Sequence, residues 1–496
     1  MERPRELAAD PGRSIAEPLA TEAVALLQRL IRLNTVNPPG DERAAIELLR
    51  DLLAGAGFQC ELLGAEPGRP NLVARLCAEP ARSRSRGSDA TRGVRPAGSD
   101  RRVGARPAAY EVADGVLASG SARDGGPVLA YLGHVDTVLA DAREWRHDPW
   151  SGELADGFVW GRGALDMKSQ VAAEVTAAVA LARSGWRPRR GELLVIAVVD
   201  EETGGALGAK WLCEKHPERV RCDLLLNEGG GPHIELGGKR HYPVCCAEKG
   251  VFRFTLATSG EAGHASMPRL GKNALLALAP VLERFAAPAS ELLLTPEPLA
   301  FLAAIGEDER DPAGALARLG ERDPRLLSMF EPMFAVTFAP TMASASAKIN
   351  VIPSRAELRV DCRVPPGLGE SETRAAIERL LAGIDGVEVR FTEQTVGNRS
   401  PIESPLMSAL GAWVAENDPG ASVVPTVMPG FTDSHHFRAA FPDCVAYGFF
   451  PQRHQSLLQT EALMHAPDER IDVRDLALAT ECYRDLAPRL LGSADR

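Results

Sequence analysis

Little in this sequence points to a secreted, membrane-bound or nucleic-acid-binding protein. The N-terminal stretch MERPRELAADPGRSIAEPLA carries no apolar run of the kind a secretory signal requires. No run of about 18 apolar residues occurs, so no membrane span is expected, and the expected location is cytoplasmic. The nine cysteines are odd in number, scattered and without a CxxC pair. Cys245 and Cys246 are adjacent and poorly placed to bridge each other. The thiols are therefore expected to be reduced, and any metal is expected on histidines and carboxylates. Positive charge is also short. Lys and Arg number 56 against 67 Asp and Glu, for a net charge of −11 and a pI near 5.6. Such a surface repels phosphate backbones, which argues against a nucleic-acid partner and leaves room only for a local basic pocket for a small anion. The first βα turn lacks both GxGxxG and GxxxxGK[ST], which places a nucleotide-binding protein low among the alternatives.

The chain has 496 residues, 45% of them hydrophobic and 25% charged, the ordinary globular balance. This length exceeds one ordinary core and suggests two or more domains. Residues 1–18 read as a loose leader. Apolar residues at helical spacing (Val24, Leu27, Leu30, Ile31) mark a helix that TVNPPG interrupts and that resumes from Ala44 to Leu53. Residues 79–126 are rich in Arg, Ser, Gly, Ala and Asp without periodicity, and read as a poorly ordered surface insertion. The apolar strands PVLAYL and LLVIAVV alternate with helices, among them the Ala/Val-rich stretch Val171–Leu181. That alternation predicts an α/β sheet covered on both faces. From Gly250 the pattern becomes β-α-β-β-α-β, the order of a small ferredoxin-like domain inserted at residues 248–396. The first domain would then comprise residues 19–247 and 397–496.

Chemistry-bearing residues gather at the ends of the predicted strands. PVLAYL runs into GHVDTV, with His134 and Asp136. An HxD pair lets the aspartate hold one imidazole nitrogen while the other faces a metal. Asp166 follows in WGRGALDMKS, where alone it reads as a helix N-cap. LLVIAVV ends in Asp200, Glu201 and Glu202, three successive carboxylates whose repulsion calls for a cation, unless they form a solvated acidic turn. Neighbouring side chains on extended backbone point to opposite sides, so Glu201 and Glu202 can do different work. Glu228 ends DLLLNEGGG, and His465 lies far downstream in MHAPDERI. Each is ordinary alone. Together they line the carboxyl ends of one α/β sheet, where such folds bind ligands. Two histidines and three carboxylates suit Zn²⁺, with Mn²⁺ or Co²⁺ as options.

The motifs GHVDTV, GRGALDMKS, DEETGG, NEG, GHASMP, KINVIP, FTDSHHF and HAPDERI resemble those of the co-catalytic zinc amidohydrolases: aminoacylase, acetylornithine deacetylase, succinyl-diaminopimelate desuccinylase and carboxypeptidase G. The resemblance runs from about residue 22 to 490, excluding the insertion. It implies a zinc-exopeptidase-like mixed-sheet catalytic domain with an inserted ferredoxin-like lid that forms a homodimer. It implies two metal ions, one held by His134 and Glu228, the other by Glu202 and His465, with Asp166 bridging. Asp136 would orient His134, and Glu201 would be the general base. His264 in GHASMP would help hold the oxyanion, often across the dimer. Asn350 would contact substrate, and Arg363 and Thr432 would meet its free carboxylate. Without the family match, His264 reads as a polar loop residue, Asn350 as a strand-edge residue and Arg363 as a surface charge.

Glu at position 228 accompanies deacylases in the family, which favours an N-acyl amino acid or N-acyl amine over a peptide. The alternatives are a carboxypeptidase or dipeptidase and, more remotely, a metal-stabilised binding protein. Two departures stand out. Pro429-Gly430-Phe431 precedes Thr432 where relatives often have two glycines, and Phe449 and Phe450 enlarge YGFFPQRHQ. These aromatics either permit an apolar acyl group or side chain, at odds with a highly polar substrate, or simply fill the core. His435 and His436 have no assigned role in this reading.

Overall fold

The computed structural model describes residues 17–78, 126–286 and 291–493. The expected leader and the expected insertion lie outside these residues apart from positions 17, 18 and 126.

Four strands form the parallel centre of a ten-stranded mixed sheet, in the order Glu192–Val198, Val128–His134, Leu224–Asn227 and Val445–Gly448. Antiparallel strands extend it on both sides, Asn71–Cys77 and Gln59–Leu63 on one and Lys239–Glu248 and Pro232–Leu236 on the other. The central strands read as unbroken apolar runs because both faces are covered. Along Val128–His134, Leu129 and Tyr131 enter one core while Val128, Ala130 and Leu132 enter the other, the period of two expected of a strand. The first core is closed by the helices Glu17–Ile31, Lys168–Arg183 and Val473–Leu491. The second is closed by Ala209–Lys215 and Ser434–Ala440.

The inserted unit has the expected β-α-β-β-α-β order. Its strands lie side by side as Val387–Phe391, Phe254–Ser259, Arg355–Val364 and Thr337–Ser344, all antiparallel. The helices Ala279–Phe285 and Glu370–Leu380 contribute to a separate core. Not all of residues 248–396 belongs to this unit. The helices Pro296–Ala304, Pro312–Arg322 and Pro324–Phe330 bury Phe301, Leu302, Leu316, Leu319 and Phe330 against Ile234, Ala247, Val424 and Val427 of the main sheet. Their periodicity signals amphipathic helices but does not say which sheet receives them. Two chain crossings join the units, where Val251 bridges Thr395 and Ala247 bridges Arg399.

Candidate metal centre

The carboxyl ends of the central strands bring the chemistry together. His134 is the last residue of its strand and is buried. Its Nδ1 lies 3.1 Å from the Asp136 carbonyl oxygen. A carbonyl only accepts, so Nδ1 carries the proton and Nε2 presents its lone pair. That Nε2 lies 3.1 Å from Asp166 Oδ1 and 3.7 Å from Glu228 Oε2. His465, half-exposed, places its Nε2 2.9 Å from Asp166 Oδ2 and 3.5 Å from Glu202 Oε2. One oxygen of Asp166 thus faces each imidazole, with a glutamate beside each. Donor atoms of His134, Asp166 and Glu202 lie within 4.8 Å of one another, and so do those of His134, Glu201 and Glu228.

This donor set fits a cation pair on its own chemistry. On the His134 side, Nε2 faces oxygens of two carboxylates; burial acts downward on this imidazole, but Glu228, then Asp136 and Asp166, outweigh it and raise it. Glu202 Oε1 is buried without a hydrogen-bond partner. Burial and then the neighbouring Asp166 push Glu228 up to about 7. Burial, followed by Glu228, pushes Glu201 well above the usual carboxylate range. For Asp166 burial acts upward, but the bonds to His134 and His465 outweigh it and hold the carboxyl low. The bond to Asp166 and then that to Glu202 raise His465 to about 10. A site crowded with carboxylates and short of positive charge is one that divalent ions complete.

Backbone geometry sets the acidic turn. Asp200 sits at φ 71°, a left-handed conformation, and the following residues form a short 3₁₀ turn. Asp136 accepts the Glu201 N–H on Oδ1 and the Glu202 N–H on Oδ2, both at 3.2 Å. It therefore orients this turn as well as His134. The three successive carboxylates do not share one cation. Asp200 points into the protein, where it accepts from Thr203 at 2.7 Å and pairs with Arg69 at 3.2 Å. Arg69 in turn pairs with the buried Glu42. Asn37, inside the chain-breaking TVNPPG, donates to Asp136 at 2.9 Å and to Asp200 at 3.2 Å. Glu469 is fully buried and holds the bridging loop. Its Oε1 accepts from the Leu165 and Asp166 amides at 2.6 and 3.1 Å, and its Oε2 accepts from Arg162 at 2.5 Å. Neither Asn37 nor Glu469 stands out in the sequence beyond lying inside conspicuous motifs.

The cluster opens into a cavity of about 990 Å³. Arg363 lines it from the inserted unit, its Nε donating to Asp361 at 2.7 Å, and Arg253 lies nearby in the same wall. Phe431, His435 and His436 line another part. Phe449 and Phe450 do not, being buried in the main core. His264 and Asn350 lie together on the exposed two-stranded flap Gly263–His264 and Val351–Ile352 and its approach, and neither lines this cavity.

Thr432 is 1% exposed, and its hydroxyl donates to Glu248 at 2.5 Å. Glu248 is paired with Arg438 at 3.1 Å. The Thr432 hydroxyl is thus engaged by an internal carboxylate, because a buried carboxylate takes the nearest donor. Thr432→Val is expected to destabilise the fold by about 1–3 kcal/mol, leaving Glu248 one donor short. KM should change by less than about threefold. Chemical denaturation beside steady-state kinetics measures both. A tenfold rise in KM at unchanged stability would restore the substrate contact.

Residues 130–489 match peptidase family M20/M25/M40. A succinyl-diaminopimelate desuccinylase of Cereibacter sphaeroides is 26% identical over 477 residues, covering 93% of this chain and 97% of that protein. One from Paracoccus denitrificans is 26% identical over 478 residues, covering 94% and 97%. Among solved structures, the M20 family metallo-carboxypeptidase Sso-CP2 from Sulfolobus solfataricus superposes with a TM-score of 0.66 at 16% identity, over 95% of this chain and 99% of that one. A Bacillus subtilis protein described as a dinuclear metal binding peptidase of the M20 family gives 0.54 at 14% identity, over 96% and 98%. At these identities the structural matches speak for the fold.

Proposed function

As a member of peptidase family M20/M25/M40, the chain is a metal-dependent hydrolase of amide bonds, and we propose that it deacylates an N-acyl amino acid, or a related N-acyl amine, with a free carboxylate. The observation that carries the mechanism is the bridge: two imidazole Nε2 atoms on the two oxygens of Asp166. In this reading His134 and Glu228 would hold one divalent ion, Glu202 and His465 the other, and Asp166 would serve both. Zn²⁺ suits these ligands, with Co²⁺ or Mn²⁺ as substitutes. Bound there, the ions would polarise the scissile carbonyl and acidify water.

The chain's own groups do the rest. Glu201 takes the proton of the attacking water and returns it to the departing nitrogen, a role that suits a carboxyl pushed upward by burial and by Glu228. Asp136 keeps His134 in the Nδ1–H tautomer and fixes the Glu201–Glu202 backbone. Arg363 pairs with the substrate carboxylate, for which a planar fork is well shaped. The relatives named as desuccinylases favour deacylation, as does the glutamate at position 228.

We read the protein as a homodimer through the inserted unit. The strand Thr337–Ser344 is an exposed sheet edge, and Leu275, Leu276 and Leu282 are exposed on the neighbouring segment. Unpaired edges and apolar patches of this kind ask for cover. His264 and Asn350, which do not line their own cavity, would then serve that of a second copy, with His264 donating to the oxyanion. A cytoplasmic location accords with nine cysteines that form no disulfide.

The test is hydrolysis of N-acyl amino acids beside dipeptides, before and after chelation. Activity on N-acyl amino acids should vanish with chelator and return with Zn²⁺. Arg363→Ala should raise KM by roughly 10- to 100-fold, the loss of a charged hydrogen-bonded pair. Faster turnover of dipeptides would favour a peptidase. Metal binding without turnover of either class would favour a binding protein.

A further inference from the structure

Phe431 lines the cavity and does not stand alone. Its ring overlies His435 at a centroid distance of 4.5 Å and 36°, and meets His436 edge-on at 5.3 Å and 71°. The two imidazoles are 5.8 Å apart and nearly perpendicular. All three rings line the cavity that holds Glu201, Glu202 and Glu228. Met428, Cys213, Ala439 and Ala440 complete this part of the wall with small or apolar surface. The rings are held from behind. Asn398 donates to the His435 carbonyl at 2.9 Å, and His436 bonds the backbone of Gly204, which caps the turn bearing Glu201.

The wall carries no net charge. Burial, reinforced for His435 by His436 and Arg438, pushes both imidazoles down to about 4, so they are neutral near pH 7. His435 Nδ1 and His436 Nε2 are buried and lack a protein partner. Lys210 and Glu214, the charged residues of this wall, are both exposed at its rim and lie one helical turn apart, where their charges offset each other. A succinyl carboxylate laid on this surface would lose hydration without gaining a cation. A flat uncharged ring would gain offset or edge-on contact with Phe431.

We propose that the Phe431–His435–His436 wall is the acyl subsite and that it takes a planar aromatic acyl group, an aroyl, in preference to succinyl or acetyl. This rests on the deacylase reading above and adds the substrate class. The division of labour follows from the walls: the inserted unit supplies Arg253 and Arg363 for a carboxylate, while the rings belong to the main domain. Although the relatives are named desuccinylases, this wall is built for a different acyl group.

The experiment compares N-benzoyl, N-succinyl and N-acetyl derivatives of one amino acid with the zinc-loaded full chain. The kcat/KM for benzoyl is expected to exceed that for succinyl by at least roughly tenfold. Phe431→Leu, which keeps apolar volume but removes the ring, should lower the benzoyl-to-succinyl ratio by about tenfold. Phe431→Tyr should bring it back to within about threefold of the original. Because the readout is a ratio, a partial loss of folded protein does not alter it. Succinyl hydrolysed as well as benzoyl, or a ratio indifferent to Phe431→Leu, overturns the proposal while leaving the deacylase standing. A ring preference that follows the amino-acid side chain instead of the acyl group assigns the wall to the amine and overturns it as well. Cleavage of dipeptides with no turnover of any N-acyl compound removes the deacylase reading itself.

Discussion

Glu201→Gln is expected to retain two metal ions per chain and to lower kcat by roughly 10²- to 10⁴-fold, the contribution of a positioned general base. The geometry makes this a sharp experiment. A Glu201 oxygen lies within 4.8 Å of donor atoms on both His134 and Glu228, close enough for Glu201 itself to serve as a third ligand on that side. The two roles predict different losses. A base replaced by its amide leaves metal content intact, because His134, Glu228 and Asp166 still converge. A ligand so replaced weakens one site. Metal analysis after gel filtration, read beside kcat, separates them. One equivalent lost per chain would reassign Glu201 as a ligand and leave the base to be sought among the other buried carboxylates, of which Asp433, with an unpartnered Oδ2, comes first.

The second large effect is at the bridge. Asp166→Ala removes both oxygens that face the imidazoles and leaves His134 and His465 without a shared partner. Loss of at least one metal equivalent and a fall in kcat/KM of about 10³-fold or more are expected, since several kcal/mol of charge stabilisation leave with the cations. Glu469→Gln should act in the same direction but more mildly. It keeps the shape of the group while weakening its hold on the Leu165 and Asp166 amides, and metal affinity should drop by roughly 10- to 100-fold. Titration with a competing chelator measures both. Full metal occupancy in Asp166→Ala would remove the bridging assignment.

These cases show where the sequence was legible. The strand ending in His134 and those that run out toward Glu202 and Glu228 could be read because parallel strands covered on both faces are apolar throughout, and a charged residue just past their end is conspicuous. The ferredoxin-like order of the inserted unit was legible for a related reason: alternation and helical period differ, and each persists over enough residues to be recognised. The aromatics were not legible. Phe431 and Phe449 are alike in sequence, yet one lines the cavity and the other is buried in the core. The helices from Pro296 to Phe330 carried a clear apolar stripe with no sign of which sheet it would meet.

The sequence by itself determined the class of fold, the strand ends where histidines and carboxylates gather and the residue types available there, because burial periodicity and local backbone preference are written into neighbouring residues. Only the tertiary structure decided which atoms meet. Asp166 receives His465 from 299 positions away and is held by Glu469 from 303, while Thr432 gives its hydroxyl to Glu248 across 184. Contacts at such separations depend on how the chain crosses between sheets. A motif fixes that a donor or acceptor is present, and the packing of distant segments fixes whether its partner is a substrate, a metal or another buried side chain.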